Sequence, residues 1–317
     1  MSDSKVIAVI GATGAQGGGL ARAILDDASG EYSLRAITRN SESERAQALA
    51  ERGAEVVAAD LNDQASLERA LAGAHGAFLV TNFWEHFSPE QEKAQVRNLA
   101  AAAKAAGVEH VIWSTLEDTR NWVPLDDDRM PTLMENYKVP HFDGKGEADA
   151  IFAELEVPAT YLLTSFYWDN LIHFGMGPTV GEDGKLIFAL PMGDKKLPGI
   201  AAEDIGRCAY GIFRRGNEWV GKRVGIAGEH LTGQEMAAAL AKALGRDVSY
   251  SAVPHDVYRG LGFDGADDLG NMFQFKHDFN EDFRAARNVD FSRAINPSLQ
   301  TFNDWLGKHK EELPIEG

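Results

Sequence analysis

The sequence is poor in cysteine: Cys208 is the one cysteine among 317 residues, so the chain cannot form an internal disulfide. This agrees with a reducing compartment, where thiols are kept reduced. Because Cys208 lies in the helical pattern "EDIGRCAYGIF", we expect a core residue rather than a reactive thiol. The sequence also lacks an apolar run near the roughly 20 residues of a membrane-spanning helix, and its start does not have the pattern of a signal peptide. We therefore expect a cytoplasmic protein with no membrane contact.

Positive charge is also scarce. The chain has 31 Lys and Arg residues against 48 Asp and Glu residues, which gives a formal net charge of -17 at pH 7. The electrostatic field of a protein with this negative charge repels a phosphate backbone, so direct binding of nucleic acid is not expected. The nine histidines form no metal-like cluster with cysteines or carboxylates, and no serine follows the pattern of a hydrolase nucleophile. We therefore expect neither a metal site nor a hydrolase.

Short apolar segments alternate with helical patterns through the first half of the chain. The strand-like segments are "VIAVIG" at 6–11, "SLRAITR" at 33–39, "AEVVAAD" at 54–60, "GAFLVT" at 76–81 and "HVIWST" at 110–115. Strands of this kind, separated by helices, are typical of a parallel sheet that is buried on both faces. The pattern predicts an α/β fold, a Rossmann doubly wound parallel sheet with a smaller, mostly helical C-terminal region.

The second half of the chain alternates less regularly. The pattern predicts a helix that begins near Asp143 and another over 202–215, and "RVGIAG" at 223–228 is a candidate for a returning strand of the main sheet. Thr232 is the expected N-cap of the next helix. The predicted division assigns residues 1–170 to a Rossmann domain, rejoined by about 199–228, and residues 171–198 and 229–317 to a smaller region.

The first strand leads directly into "GATGAQGGG", where Gly11, Gly14 and Gly17 are followed at once by a helix. In this context Gly11 allows a tight turn, Gly14 lets the backbone approach a pyrophosphate, and Gly17 lets the helix pack closely on the strand. Amide groups at the start of the helix can then bind the phosphates of a dinucleotide. The candidate cofactor loop comprises Gly11, Ala12, Thr13, Gly14, Ala15, Gln16 and Gly17.

The next two strands end in further candidate cofactor residues. Arg39 and Asn40 follow the second strand, where an NAD-preferring protein usually has a carboxylate and where an arginine can pair with the 2′-phosphate of NADP. NADP is therefore the predicted cofactor, and the alternative is that Arg39 is a solvated strand end. Asp60 and Leu61, after the third strand, suit a contact with the adenine edge or form an ordinary loop.

The fourth strand ends in "VTNFWEHFSPEQE", at the crevice where doubly wound sheets bind ligands. Thr81, Asn82 and Phe83 are candidates to line the ribose and the nicotinamide. The aromatic side chains of this segment are equally compatible with the floor of a second domain.

Several motifs together resemble the NmrA-like proteins, atypical members of the short-chain dehydrogenase/reductase superfamily. "GATGAQGGG", "TRN", "VTNFWE", "HFDGKGE", "FYWDNL", "LPMGD" and "DWLGKHK" occur in the order of that family, and the resemblance is closest to its NADPH-sensor branch. The resemblance implies NADP contacts from residues 11–16, Arg39, Asp60, Leu61, Thr81, Asn82, Phe83, Lys145, Tyr167, Trp168, Asp169 and Asn170. A further cofactor lysine of this branch corresponds to Ala94 here, so the neighbouring Lys93 is left out of the predicted site.

The motif "HFDGKGE" at 141–147 has the spacing of the dehydrogenase tyrosine and lysine, with His141 in place of the tyrosine. In dehydrogenases the tyrosine exchanges the alcohol proton, the lysine binds the nicotinamide ribose, and a serine polarises the carbonyl; Lys145 and Ser114 match the last two. Imidazole can act as an acid or a base near neutrality, but a neighbouring lysine cation disfavours the imidazolium form. His141 is thus either the catalytic acid or a helix-start or pocket-lining residue, and Tyr137 and Tyr167 are candidate substitutes.

The resemblance implies the cofactor but not the activity, because the family contains both regulators and reductases. The predicted function is NADP(H) binding by a redox sensor or regulator that has little or no dehydrogenase activity and acts on a regulatory protein partner. The alternative is an NADPH-dependent reductase of a small carbonyl, quinone or enone, for which His141, Lys145 and Ser114 are the catalytic candidates. An oligomer is compatible with either function.

Overall fold

The computed structural model describes residues 4–315. Its strands are β1 (Lys5–Ile10), β2 (Tyr32–Thr38), β3 (Glu55–Ala58), β4 (Gly76–Leu79), β5 (His110–Thr115), β6 (Ala159–Leu163), β7 (Phe166–Tyr167), β8 (Thr179–Val180), β9 (Leu186–Leu190), β10 (Lys196–Ile200), β11 (Arg223–Gly225), β12 (Glu229–Thr232) and β13 (Val248–Ala252). Its α-helices are α1 (Ala15–Asp26), α2 (Glu44–Glu51), α3 (Gln64–Leu71), α4 (Pro89–Ala105), α5 (Pro140–Glu154), α6 (Asn170–His173), α7 (Ala202–Phe213), α8 (Gly233–Leu244), α9 (His255–Arg259), α10 (Ala266–Asp278), α11 (Asn280–Ala285), α12 (Val289–Ile295) and α13 (Phe302–His309).

Seven strands form the main sheet in the order β11-β6-β5-β4-β1-β2-β3. The strands β1 to β6 pair in parallel, and Ile7 at the centre lies beside Leu34 of β2 and Gly76 of β4. The chain moves from β1 outward to β3 and then crosses to β4, so the strand order reverses between β1 and β4. Such a reversal makes the ligand crevice of a doubly wound sheet. The predicted Rossmann sheet is confirmed, and β11 is the predicted returning strand.

The central strands are buried along their length, which explains their continuous apolar pattern. Every residue of β4 and β5 is buried. Their side chains pack with α3, α4 and α5 in a core that includes Leu67, Leu99, Trp113 and Phe152. A strand that is covered on both faces has no solvent side, so its sequence does not alternate between apolar and polar residues. Cys208 is also buried, on α7, as predicted.

Two helix starts bear on the predictions. α5 begins at Pro140, earlier than the predicted start near Asp143, because proline fits the first helical position, where no backbone donor is needed. His141 therefore lies in the first turn of α5. The predicted N-cap of α8 is confirmed: the Thr232 hydroxyl accepts from the Glu235 backbone N–H at 3.1 Å, and the Glu235 carboxylate accepts from the Thr232 N–H at 2.8 Å.

The chain forms two compact units. The first unit comprises residues 4–118, 141–164 and 203–224, and the second comprises residues 119–140, 165–202 and 225–315. The segment 119–140 belongs to the second unit because its backbone is hydrogen-bonded there. For example, Asn271 Nδ2 donates to the carbonyl oxygens of Pro131 and Lys138 at 2.9 and 2.6 Å. The division with a Rossmann domain over residues 1–170, rejoined by about 199–228, stays a prediction.

The second unit combines two small sheets with helices. One sheet has the strand order β12-β10-β7 and the other the order β13-β9-β8. The helices α8 to α13 make the C-terminal part of the chain mostly helical, as predicted. Within residues 4–315, none of the helices combines the length and the apolar character that a membrane crossing requires.

Candidate cofactor site

The predicted cofactor residues of the first unit gather at one edge of the main sheet. Because β1 to β5 are parallel, their carboxyl ends lie on the same edge. The segments after β1, β2, β3 and β4 carry residues 11–17, Arg39, Asp60 and Thr81, and Ser114 is the residue before the last one of β5. This edge is where open α/β sheets bind their ligands.

β1 passes into α1 through a tight glycine loop. Gly11 has a φ of +66°, in the left-handed region, and the Gly14 N–H donates to the Gly11 carbonyl oxygen at 2.8 Å. A methyl group on Gly17 would lie 2.4 Å from that same oxygen. A side chain at position 17 would therefore push α1 away from the loop, which is the packing role that the motif gives to this glycine.

The start of α1 suits a phosphate group. Gly14 is the N-cap of α1, and no side chain forms a capping hydrogen bond there. The first turn of α1 contains no acidic residue. The N–H groups of a helix start lack partners within the helix, and the helix dipole favours negative charge beside them. A Cβ at Gly14 would lie only 3.2 Å from the Gly11 carbonyl oxygen, so glycine keeps the loop compact at the start of α1. These residues fit a dinucleotide.

A pocket of about 290 Å³ opens beside the ends of β2 and β3. Its lining residues are Arg39, Ala58, Ala59, Asp60, Asp63 and Ser66. Asp60 Oδ1 accepts from the backbone N–H of Asn62 at 2.9 Å, and the Leu61 carbonyl oxygen accepts from Asn98 Nδ2 at 2.9 Å. These bonds fix the turn after β3. Small apolar side chains beside a guanidinium suit the adenosine end of a dinucleotide.

Arg39 is exposed and paired with a carboxylate. Its NH1 donates to Glu85 Oε2 at 2.8 Å, and Glu85 Oε1 accepts from Asn82 Nδ2 at 3.2 Å. The side chains of Arg39 and Glu85 are 71% and 43% exposed. Glu85 therefore joins two of the predicted cofactor residues. The adjacent Asn40 turns the chain toward α2, because its Oδ1 accepts a backbone N–H at 3.0 Å.

Lys145 lies on α5 and contacts the end of β4. Its Nζ donates to the Thr81 carbonyl oxygen at 3.2 Å, to Thr81 Oγ1 at 2.7 Å and to Glu92 Oε1 at 2.5 Å. The Lys145 side chain is 11% exposed, and Glu92 is fully buried. The ammonium group also lies 5.0 Å from the centre of the Trp113 ring. The contacts fix the lysine beside Thr81, a residue predicted to line the nicotinamide end.

Glu92 is the buried counter-ion of this lysine. Burial raises the pKa of Glu92. The charge of Lys145 and the hydrogen bonds from His86, Lys145 and Thr81 outweigh this effect and lower the pKa to about 2. His86 Nε2 lies 3.5 Å from Glu92 Oε2, and the Ser88 N–H donates to His86 Nδ1 at 3.1 Å. With a pKa of about 2, Glu92 is an anion at neutral pH.

The hydroxyl group of Ser114 is already engaged in a hydrogen bond. Its side chain is buried, and its Oγ donates to Gln16 Oε1 at 2.7 Å. Gln16 belongs to the first turn of α1. The serine therefore ties the end of β5 to the glycine loop.

His141 is enclosed by aromatic side chains. The imidazole is buried, and its ring centre lies 4.8 Å from that of Trp84, 4.8 Å from that of Phe142 and 6.0 Å from that of Phe83. We call these four residues the aromatic cluster. It joins the first turn of α5 to the segment after β4.

Asp149 lies one helical turn after Lys145. Its Oδ1 accepts from Trp113 Nε1 at 2.8 Å and from Thr115 Oγ1 at 2.7 Å, and its Oδ2 lies 2.6 Å from Arg223 NH2. Burial raises the pKa of Asp149 to about 6, although these contacts lower it in part. Because Arg223 is 51% exposed, its charge compensates only partly for the burial of the carboxylate.

Sequence comparison assigns the chain to a family with this fold. The model of the NmrA-like family matches residues 3–306. The chain belongs to the NmrA-like family. The "NmrA-like family domain-containing oxidoreductase lnbB" of Aspergillus flavus is 28% identical over 292 residues, which cover 86% of this chain and 83% of that protein.

Solved structures of NmrA, described as a negative transcriptional regulator, share the architecture of this NmrA-like chain. The complex of NmrA with NAD superposes with a TM-score of 0.78 at 23% identity, over 97% of this chain and 95% of NmrA. The complex with NADP gives a TM-score of 0.77 at 24% identity over the same shares. The fold is thus matched over nearly the whole chain.

The second unit of the NmrA-like chain carries the remaining predicted residues. They are the cofactor candidates Tyr167, Trp168, Asp169 and Asn170 and the candidate acid Tyr137. Trp168 is buried, with its ring centre 5.4 Å from Phe302 and 6.5 Å from Trp305. Asp169 Oδ2 accepts from the Ala202 N–H at 2.8 Å. In this structure Trp168 is a core side chain of its unit, and Asp169 accepts a backbone hydrogen bond within the same unit.

Sequence reasoning missed Glu92, although a signal was present. Glu92, Val96, Leu99 and Ala103 recur at helical spacing and are all buried, so this carboxylate occupies the apolar stripe of α4. A buried carboxylate requires a cation, and Lys145 supplies it. Glu85 gave no comparable signal, because it is partly exposed. In the part of the chain that the structure describes, no three His, Cys, Asp or Glu side chains cluster as metal ligands do.

Proposed function

We propose that the protein binds NADP(H) and acts as a redox sensor or regulator with little or no dehydrogenase activity. The observation that carries the proposal is that Lys145 is kept and fixed beside Thr81, whereas the position of the proton-donating tyrosine holds His141, buried in the aromatic cluster. The chain keeps a group that binds a nicotinamide ribose and lacks the phenol that supplies a proton. A regulatory protein partner would then recognise the occupied state.

Each part of the dinucleotide has a candidate partner along the sheet edge. The glycine loop and the N–H groups of α1 would bind the pyrophosphate, and the pocket beside Asp60 would take the adenosine. Lys145 would bind the nicotinamide ribose. All three of its ammonium donors have acceptors, so a ribose hydroxyl would replace the longest contact, to the Thr81 carbonyl oxygen at 3.2 Å.

The preference for NADP rests on Arg39. NmrA, which shares the fold, has been crystallised with NAD and with NADP, so the fold does not by itself select the cofactor. In this chain the guanidinium of Arg39 stands at the end of β2 and lines the adenosine pocket. A guanidinium at this position pairs well with a 2′-phosphate through charge-assisted hydrogen bonds.

The chemistry of carbonyl reduction lacks support from the neighbouring side chains. A bound nicotinamide supplies a hydride, but reduction of a carbonyl also needs a proton and a group that polarises the oxygen. The Ser114 hydroxyl donates to Gln16, and the His141 imidazole is packed between aromatic rings. The engaged Ser114 hydroxyl and the aromatic surroundings of His141 support the proposal of a regulator.

A reductase of a small carbonyl, quinone or enone is the second candidate. It is favoured by Lys145 in the dehydrogenase position and by relatives such as lnbB that are named oxidoreductases. We expect little NADPH oxidation across a panel of quinones, enones and aldehydes. If His141 is instead the acid, His141→Ala should remove most of the turnover and leave cofactor affinity unchanged. Turnover that survives His141→Ala would direct attention to Tyr137 or Tyr167.

Titration of both cofactors tests the proposed function. NADPH should bind more tightly than NADH to the unmodified protein. Arg39→Ala should weaken NADPH binding by about 1.5–3 kcal/mol, the range for a hydrogen bond to a charged group, and leave NADH nearly unchanged. Isothermal titration calorimetry measures both. Equal losses would show that Arg39 does not recognise the 2′-phosphate, and failure of both cofactors to bind would reject the proposal.

A further inference from the structure

The Arg39–Glu85 pair creates a conflict inside the proposed site. A 2′-phosphate would bind the guanidinium of Arg39, but NH1 of that group already donates to Glu85 at 2.8 Å. A carboxylate and a phosphate repel each other when they share one cation. A cofactor with a 2′-phosphate therefore has to displace Glu85, whereas a cofactor without one does not.

Other carboxylates near the pocket are engaged elsewhere. Among the six described residues that line it, Asp60 and Asp63 carry carboxylates. Each accepts a backbone N–H of its own turn, at 2.9 Å for Asp60 and at 3.2 Å for Asp63, which caps α3. Those hydrogen bonds hold the two aspartate side chains against the backbone of their own turns. Glu85 is the carboxylate that is hydrogen-bonded to the guanidinium.

Glu85 is presented to Arg39 by its own turn. The residues Phe83–Glu85 form a single 3-10 turn, in which the Glu85 N–H donates to the Asn82 carbonyl oxygen at 3.2 Å. The Asn82 side chain also donates to Glu85 Oε1 at 3.2 Å. The carboxylate is thus held from two sides, by Arg39 and by the Asn82 side chain of its own turn.

We propose that Glu85 is a specificity-determining residue that lowers the affinity for the 2′-phosphorylated dinucleotide by occupying Arg39. The inference rests on the proposed cofactor function. Because only a 2′-phosphorylated cofactor releases Glu85, the turn Phe83–Glu85 takes up different states with NADP(H) and with NAD(H). Phe83 and Trp84 contact His141 in the aromatic cluster, so a change in the turn caused by the 2′-phosphate also changes the contacts of the first turn of α5.

The first test compares affinities by calorimetry. NADPH and NADH are titrated into the full-length protein and into Glu85→Gln, at low and at high salt. An exposed ion pair contributes about 0.2–1 kcal/mol, so Glu85→Gln should tighten NADPH binding by about 1.4- to fivefold at low salt and leave NADH unchanged. High salt should reduce the gain, because it screens exposed charges.

A matched control removes the same charge from the other edge of the sheet. Glu109 is exposed and precedes β5, at the amino ends of the strands, where it lies 3.4 Å from His75. Glu109→Gln should change neither affinity. Equal gains for NADPH in both variants would attribute the effect to net charge and overturn the inference. So would an unchanged or weaker NADPH affinity in Glu85→Gln while the unmodified protein binds NADPH. Failure of both cofactors to bind would reject the proposed function and the inference together.

The second test asks for the structural consequence by hydrogen exchange. With each cofactor at saturation, the backbone amides of residues 82–87 should exchange at different rates in the NADPH and NADH complexes of the unmodified protein. In Glu85→Gln that difference should vanish, because no carboxylate remains to be displaced from Arg39. Identical exchange of these amides in the two complexes of the unmodified protein would overturn the conformational part of the inference.

Discussion

Two ion pairs stand at opposite ends of the proposed cofactor path, and each joins a cation of the site to a carboxylate from the segment after β4. In the inner pair, Lys145 and Glu92 are 11% and 0% exposed and share the Thr81 hydroxyl. In the outer pair, Arg39 and Glu85 are 71% and 43% exposed. The same type of ion pair is thus buried at the inner end and exposed to solvent at the outer end.

Burial determines what each pair can do. Removal of one partner from a buried pair leaves a charge without compensation in a medium of low dielectric, which costs about 3–5 kcal/mol, whereas exposed pairs contribute about 0.2–1 kcal/mol. The inner pair therefore fixes the position of Lys145. The outer pair is weak enough for a phosphate to replace its carboxylate, and that exchange is what a specificity-determining residue requires.

The largest effect is expected from breaking the inner pair. Lys145→Met and Glu92→Gln should each lower the free energy of unfolding by about 3–5 kcal/mol, because each leaves the other charge buried alone. The double variant Glu92→Leu with Lys145→Met should recover most of the loss, since neither charge remains. Denaturant unfolding of the four proteins measures these differences.

Lys104→Met is the control for loss of a lysine from the same unit. Lys104 pairs with Glu156 at 3.3 Å, and the two side chains are 49% and 86% exposed. Its replacement should cost less than about 1 kcal/mol. A loss in Lys145→Met no larger than in Lys104→Met would show that the buried pair does not stabilise the fold.

The pH dependence of stability sharpens the contrast between buried carboxylates. The pKa of Glu92 is lowered from 4.5 to about 2, so its stabilising contribution is present above about pH 4.5 and is lost as pH falls toward 2. The pKa of Asp149 is raised from 3.8 to about 6, so its effect has the opposite sign: stability is lost as pH rises from about 3.8 to 6. The partner of Glu92 is buried and that of Asp149 is half exposed.

Two variants separate these contributions. As the pH rises from 4 to 7, the free energy of unfolding of Asp149→Asn should increase by about 3 kcal/mol relative to that of the unmodified protein. A shift of one pKa unit corresponds to about 1.4 kcal/mol. Below about pH 4.5, the deficit of Glu92→Gln should shrink by about 1.4 kcal/mol per pH unit. Parallel stability profiles for all three proteins would contradict both assignments.

The outer parts of the site were easier to predict from the sequence than its inner contacts. The glycine loop, Arg39 and Asp60 follow strands whose ends are visible in the pattern, and the parallel topology alone brings such ends to one edge. Lys145 was predicted from its spacing to His141. Its pairing with Glu92 was not, because the two residues are 53 positions apart and only the packing of α4 beside α5 brings them together.

The smallest expected effect is the coupling within the outer pair of the unliganded protein. A double-mutant cycle with Arg39→Ala and Glu85→Gln should give a coupling energy of about 0.2–1 kcal/mol in denaturant unfolding, and less at high salt. The same cycle measured on NADPH affinity should give a coupling of opposite sign: Glu85→Gln helps binding only while Arg39 is present, because the carboxylate acts by competing for the guanidinium. If Glu85→Gln tightened NADPH binding as much in the Arg39→Ala background, the carboxylate would act directly on the phosphate rather than through Arg39. A coupling in the unliganded protein as large as that of the inner pair would contradict the easy exchange on which this role of Glu85 depends.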